Sequence, residues 1–429
     1  MPRNTLKKQL KQKNYQEQRN ILFFKDIGGS FSTNDFLMIL YNFIETYSNS
    51  LLAAISIVQY RSDYFCSKAI NKCFDSENAI VEYFKFEKRI LSLIRGYIDS
   101  KSDFNKRIYL LQITSLVTAS VPIFNILSEY LGSVSNTFIY RNIVVKDRLL
   151  SIVNPSLKRN NRPLYEMIIK NFSYINKFFT QYYSLFLKKY SLQDNVYGFV
   201  KNRSCVDNAT YHLNNTPESL INIDINKFFN NCTILKTIQN NVYSDTINEF
   251  DIPAPIKKAF HFMIISFFSY LTHNSVYPTG SSFTPVLSNI IMLPIDLEII
   301  DYLSSFSEVR YSRYADDISI SSRYQKINNK NVLNIHTVND VEKILNKYSF
   351  YIKYNKTKIF SSGDSKVING IALDIKNNKL SIGSIKKLEL RQRYIQMKNS
   401  DFIDFSLLGL LSYISDVSPS QYKYITGDI

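Results

Sequence analysis

Two runs of alternating residues meet at a pair of adjacent carboxylates in Val309-Arg-Tyr-Ser-Arg-Tyr-Ala-Asp-Asp-Ile-Ser-Ile-Ser321, and this segment constrains the chain more than any other. Side chains alternate across a strand, so both runs read as strands and Ala315-Asp316-Asp317 as the tip of a tight hairpin. Adjacent carboxylates repel, and each disfavours ionisation of its neighbour. A hairpin tip holding two of them has a use if a divalent cation sits there; otherwise it is a solvated acidic turn. Ile318 and Ile320, with Tyr311 and Tyr314, predict a mostly buried hairpin and favour the first reading.

A second strand is legible in Leu220-Ile-Asn-Ile-Asp-Ile-Asn226, followed by Lys227-Phe228-Phe229. Alternation puts Ile221, Ile223 and Ile225 on one face and Asn222, Asp224 and Asn226 on the other. An aspartate near a strand end is common at turns, so this pattern alone is weak. Joined to the hairpin it becomes specific. One Asp from a strand and a pair from a neighbouring tip can converge on two Mg²⁺ ions about 3.5–4 Å apart, with Mn²⁺ as the alternative ion. Such a pair activates a 3′-hydroxyl and stabilises a leaving pyrophosphate.

Composition agrees with a polyanionic partner. The 429 residues carry a formal net charge of +16, with 31 Tyr and 30 Phe. Lys and Arg can hold phosphates, and rings can stack on unpaired bases. Hydrophobic residues at 45% predict a globular chain rather than a disordered one. Cys66, Cys73, Cys205 and Cys232 form no CxxC pair, and His212, His261, His273 and His336 are scattered. That argues against a zinc site and fits reduced thiols in the cytoplasm. The first twenty residues hold six Lys and Arg against Glu17 alone, with no apolar stretch of signal-peptide type following.

Residues from about 32 to 133 read as helices. Phe36, Ile39, Leu40, Phe43 and Ile44 fall at helical spacing. Between Arg107 and Glu129 there is no charge, but Gln112, Thr114, Ser115, Thr118, Ser120 and Asn125 interrupt the apolar residues. The segment therefore predicts a buried helix of a helical domain, not a membrane span. After Gly132 short β-type runs alternate with helices, at Phe138 to Val145, Leu220 to Ile225, Val309 to Ile320 and Val367 to Leu373. An all-helical start followed by mixed elements predicts an α+β fold.

On these residues the sequence resembles the reverse transcriptases, specifically the bacterial retron and group II intron-like lineage. Tyr314-Ala315-Asp316-Asp317 matches the family's motif C, and Asp224 to Phe229 its motif A. The resemblance implies a right-hand polymerase of fingers, palm and small thumb behind an all-α N-terminal extension. The expected boundaries are 1–134 for the extension, 135–215 for fingers, 216–380 for palm and 381–429 for thumb. It also implies catalytic roles for Asp224, Asp316 and Asp317, which with Ile225 would ligate metal. Tyr197 to Ser204, then Asp207-Asn208-Ala209 and His212, resembles the segment before motif A, with Asn202 where a second Gly is usual. Pro278-Thr279-Gly280, then Thr284-Pro285 and Asn289, resembles motif B, with Thr279 in place of the usual Gln. Asn355-Lys-Thr-Lys358 resembles motif D, Val367-Ile-Asn-Gly-Ile371 the primer-grip turn, and Gly409 to Tyr413 with Pro419 the thumb. The resemblance thus places Phe229, Arg148, Lys146, Gly280, Thr279 and Lys358 at the nucleotide. It places Lys201, Arg203, Ser204, Asn289, Tyr314 and Gly370 at template and primer. It covers about two thirds of the chain, from Phe138 onward.

Phe229, five residues after Asp224, would abut the sugar of an incoming nucleotide and leave no room for a 2′-hydroxyl, which predicts dNTP use. Alternatively, Phe229 is simply core. The expected function is RNA-templated DNA synthesis, with an RNA template or primer, a DNA product and no membrane partner. Two other functions compete with it: untemplated or protein-primed synthesis on the same palm, and a non-catalytic RNA-binding scaffold. A stand-alone bacterial enzyme of this type resembles the defence-associated enzymes, so a cognate structured non-coding RNA is the expected partner. The N-terminal helices are candidates for homo-oligomerisation or RNA docking.

Overall fold

The computed structural model describes residues 32–69, 74–134, 140–143, 164–167, 173–190, 194–238, 247–272, 276–277, 283–327, 330–400 and 403–427. Three long helices come first: α1 (Thr33–Ala69), α2 (Phe74–Asp99) and α3 (Asp103–Val134). A two-stranded ribbon of β1 (Tyr140–Ile143) and β2 (Leu164–Met167) follows, then α4 (Ser173–Tyr190) and α5 (Cys205–Leu213). The middle of the chain gives β3 (Ser219–Asp224), α6 (Ile234–Ile238), α7 (Ala254–Tyr270) and α8 (Thr284–Ser304). Next come β4 (Val309–Tyr314), β5 (Asp317–Ser322), a small ribbon of β6 (Lys326–Ile327) and β7 (Lys330–Asn331), and α9 (Ile335–Lys347). The chain closes with β8 (Lys358–Phe360), β9 (Val367–Ile368), β10 (Ile371–Asp374), β11 (Lys379–Ser381), α10 (Ser384–Lys398), α11 (Phe405–Val417) and α12 (Pro419–Thr426).

The main sheet is antiparallel in the order β4-β5-β3-β8. Its two faces follow the period-2 pattern of the sequence. Tyr311, Ile318, Ile320, Ile221 and Ile223 are buried on one face against α8 and its neighbours in the main core. Leu220, paired with Ser321, lies on the other face in a second core with Ala209, Leu213, Ile371 and the C-terminal helices. That second face carries Asn222, Asp224, Asp317 and Ser319. The smaller sheet β11-β10-β9 packs beside it, tied to β3 by Asn222 Nδ2 donating to the Val367 carbonyl at 2.6 Å.

The N-terminal helices share the main core rather than building one of their own. Phe36 lies edge-on to Phe250 and Phe260, and Phe43 meets Phe124, Phe178, Phe260 and Phe267 within 6.0 Å between ring centres. Edge-to-face aromatic pairs add about 0.5–1.5 kcal/mol each beyond the area they bury.

Helix α3 departs from the expectation of a buried helix. Ile113, Val117, Ser120, Phe124, Leu127 and Leu131 are buried at alternating steps of four and three residues, a single narrow seam against α1, α2 and α7. Leu111, Phe104 and Ile126 on the opposite side are exposed. It is the one helix among the described residues long and apolar enough to cross a membrane, and 28% of its apolar window is buried. The reason is position. α3 forms an outer layer, so only the side facing α1, α2 and α7 is covered.

Candidate active site

Ala315 and Asp316 form the two-residue loop between β4 and β5, with Tyr314 paired to Asp317. Ala315 has φ +58°, the left-handed value a type II′ turn needs at its first loop position and one that glycine usually supplies. Three sets of contacts hold it there. Gly198 packs so closely that a Cβ on it would lie 2.3 Å from the Ala315 nitrogen. Asn289 Nδ2 donates to the Gly198 carbonyl at 2.9 Å. Arg313 Nη1 donates to the Ala315 carbonyl at 3.1 Å and to Asn289 Oδ1 at 3.0 Å. The same guanidinium grips Asp296 with two bonds, at 2.8 and 2.7 Å, and Tyr311 donates to Asp296 at 2.6 Å. Arg313, Asn289 and Asp296 are all fully buried.

Asp224 ends β3 directly opposite Asp317 in the ladder, and the Ile225 N–H donates to the Asp316 carbonyl at 2.9 Å. All three aspartates therefore meet at one end of two adjacent strands. Directly opposed like charges destabilise a sheet, so the pairing marks a site rather than a stabilising device. Burial, then Asp316, then Asp224 push the Asp317 carboxyl up to about 6, opposed by Lys356 and Asn369. Lys356 Nζ donates to Asp224 Oδ2 at 2.7 Å, a bond that raises the ammonium's pKa. Asn369 Nδ2 donates to Asp317 Oδ2 at 3.2 Å. Among the described residues no three His, Cys, Asp or Glu side chains are gathered tightly enough to hold a metal as they stand. Lys356 and Asn369 instead satisfy the carboxylates. The donor set nonetheless fits a hard divalent cation: three carboxylates with an ammonium already neutralising one of them. The Ile225 side chain is in the core, so only its carbonyl is available as a ligand.

The remaining sequence-derived candidates fall into three groups. Lys146, Arg148, Thr279 and Gly280 lie outside the described residues. Phe229 is half-buried and leans on exposed Phe199, with ring centres 6.1 Å apart, while its neighbour Phe228 fills the core. Tyr314 is half-buried beside the tip, Lys201 is exposed, and Gly370 sits in an open turn at φ +81°.

Others make contacts within the fold. Asn289 is fully buried and braces the tip. Ser204 caps α5 in a reciprocal box with Asp207, the role an S-x-x-D pattern at a helix start announces. Arg203 bonds Asp194 and the Val196 carbonyl and lies over the Tyr197 ring. Lys358 is exposed on β8 opposite Asn222, and a short 3₁₀ turn at Tyr354–Lys356 brings Lys356 to Asp224 instead. Asn202 takes φ +61°, so asparagine serves where the family's glycine would. Cys205 and Cys232 are free thiols; the other two fall where no side chain is described.

An antiparallel palm sheet that brings Asp224 against an Asp-Asp hairpin defines a nucleotidyl-transfer architecture, and comparison with known proteins gives its class. Residues 154–405 match the family model described as reverse transcriptase (RNA-dependent DNA polymerase), and the chain belongs to that family. The match spans well over half of the chain and includes all three aspartates. Among curated proteins it is similar to three retron reverse transcriptases of Escherichia coli, each 25% identical. Retron Ec83 reverse transcriptase aligns over 53% of this chain and 71% of its own length. Retron Ec73 reverse transcriptase aligns over 54% and 73%, and Retron Ec86 reverse transcriptase over 53% and 63%. The chain is thus a retron-like bacterial reverse transcriptase, an RNA-directed DNA polymerase of palm-type fold.

Proposed function

We propose that the chain copies RNA into DNA at Asp224, Asp316 and Asp317, which with the Ile225 carbonyl hold two Mg²⁺ ions. The observation that carries this reading is the direct opposition of Asp224 and Asp317 across the β3–β5 ladder. When bound, the ions activate the primer 3′-hydroxyl and neutralise the leaving pyrophosphate. The protein's own part is to hold the tip rigid through Gly198, Asn289 and Arg313 and to balance Asp224 with Lys356. Phe229 stands at the deoxyribose and selects dNTPs, supported by its half-buried position beside exposed Phe199.

The template or primer is a cognate structured non-coding RNA, and the enzyme serves antiphage defence in the bacterial cytoplasm. The net charge of +16 and the likeness to retron enzymes support a dedicated RNA partner. The decisive assay supplies a defined RNA template, a primer, Mg²⁺ and labelled dNTPs to wild type and to the Asp316→Ala, Asp317→Ala double variant. Wild type should make DNA complementary to the template and the variant none. Equal Mg²⁺-dependent incorporation by both, or product unrelated to the template, would sink the proposal. RNA recovered with natively expressed protein should be one dominant species; a random sample of cellular RNA would count against a dedicated partner.

A further inference from the structure

We propose that Asn208 and Asn369 form an amide relay that positions the Asp317 carboxylate, making both positioning residues of the polymerase site. The inference rests on Asp317 belonging to the reaction centre. Asn369 opens the Asn-Gly turn between β9 and β10, with φ +48° followed by +81° at Gly370. Two successive left-handed residues are what a type I′ turn requires, and Asn-Gly is a preferred pair for it. Turn chemistry alone therefore accounts for an asparagine here, but not for what its side chain does. Its Nδ2 donates to Asp317 Oδ2 at 3.2 Å, and its Oδ1 accepts from Asn208 Nδ2 at 2.7 Å.

The direction of the relay follows from chemistry. An ionised carboxylate only accepts hydrogen bonds. Asn369 must therefore turn its NH₂ to Asp317 and its carbonyl oxygen to Asn208. Asn208 must in turn offer its own NH₂. That leaves Asn208 Oδ1 buried with no partner, on a side chain that is 0% exposed. A buried unpaired acceptor destabilises a fold, and an apolar residue of similar size would avoid it. The amide at 208 is accounted for by the hydrogen it supplies to Asn369.

Both anchors of the relay are stiff. Asn208 sits in the first turns of α5, whose start is fixed by the Ser204–Asp207 box. The β9–β10 hairpin is held to β3 by Asn222, which also accepts from Ser319 of β5 at 3.2 Å. The turn at Asn369 and the carboxylate of Asp317 are thereby made to move together. A carboxylate pinned at one oxygen has one orientation to present, and hydrogen bonds of this kind commonly change metal affinity or activity 10- to 100-fold when removed.

Three substitutions test this. Asn369→Gly keeps the left-handed turn and deletes the donor; Asn369→Asp keeps shape and turn but sets a carboxylate against Asp317; Asn208→Leu breaks the far link and removes the orphan oxygen. Primer extension should show kcat lowered about 10- to 100-fold in Asn369→Gly with KM for dNTP unchanged, and lowered further in Asn369→Asp. Asn208→Leu should fall between wild type and Asn369→Gly while its urea midpoint holds or rises. Mn²⁺ titration of the RNA-free protein, read by electron paramagnetic resonance, should weaken about tenfold in Asn369→Gly. Should Asn369→Gly fail to fold, Asn208→Leu carries the same test. Wild-type kcat and Mn²⁺ affinity in Asn369→Gly and Asn208→Leu, with Asp317→Asn inactive, overturn the relay and leave the reaction centre standing. Full activity in Asp317→Asn overturns both.

Discussion

Replacing Arg313 by Met should separate what the buried network contributes to stability from what it contributes to the hairpin tip. The Arg313 guanidinium makes four hydrogen bonds, two to Asp296, one to Asn289 and one to the Ala315 carbonyl, and its side chain and that of Asp296 are 0% and 1% exposed. Removing one partner of a sealed ion pair leaves the other charge buried, at about 3–5 kcal/mol. Against the 5–15 kcal/mol that typically separates folded from unfolded chains, about a fifth or more of the stability should go. A triple variant, Arg313→Met with Asp296→Leu and Tyr311→Phe, removes the charge and the hydroxyl that donates to it. An apolar replacement of that kind is commonly neutral or stabilising, so the urea midpoint should recover most of its loss. Activity should not recover, because the Ala315 carbonyl and Asn289 still lack their donor. A tip displaced by about 1 Å is expected to slow incorporation about 100-fold. The assay is urea denaturation beside primer extension, with rates expressed per folded molecule. A triple variant that polymerises at the wild-type rate would refute the positioning role. A single variant destabilised by less than about 1 kcal/mol would refute the sealed pair.

Gly198→Ala puts a methyl group 2.3 Å from the Ala315 nitrogen, where only backbone can yield, so stability should drop by about 1–3 kcal/mol and extension should be lost; an active variant of unchanged midpoint would contradict the packing. Phe229→Ala should admit ribonucleotides, measured as the ratio of rNTP to dNTP incorporation, and a ratio as low as wild type would remove Phe229 from sugar selection. His212 lies between the Ser312 and Ser321 hydroxyls, 2.7 Å from each, and burial, then Arg310, lower its pKa to about 3. The unfolded chain binds this proton from about pH 6.5 downward while the folded one does not. Stability from this group is therefore full above pH 6.5 and is lost as pH falls toward 3. His212→Gln should flatten the slope of unfolding free energy against pH by about one proton between pH 4 and 6; an identical slope in both proteins would count against it.

The carboxylate half of the candidate site was legible because strand alternation and adjacent carboxylates are local signals. Asp224, Asp316 and Asp317 lie within short runs whose period declares the face they occupy. Tyr311 and Arg313 share the core-facing phase of β4, and Asp296 interrupts the apolar run of α8. A charged residue in each of two buried phases is a readable hint of a pair, although nothing in the sequence says that residues 17 apart will meet. The resemblance to motif B places Asn289 at template and primer. Its burial and its bonds to Gly198 and Arg313 depend on what packs over α8, which no local signal announces. Lys356 and Lys358 differ by two residues, and only the 3₁₀ turn before β8 determines which one reaches Asp224. Asn369 was visible as a turn residue, whereas its bond to Asp317 depends on how two sheets pack and leaves no trace in spacing.

The phenyl rings shared by α1, α3, α4 and α7 mean that the N-terminal helices cover an apolar face of the family-matching portion. Phe260 and Phe267 of α7 lose Phe36 and Phe43 if the first helix is cut away. An enzyme shortened to residues 154–405 would wet a greasy surface that the native chain keeps dry, an aggregation liability. For anyone engineering a smaller version, α1 is a wall of the house, not a porch.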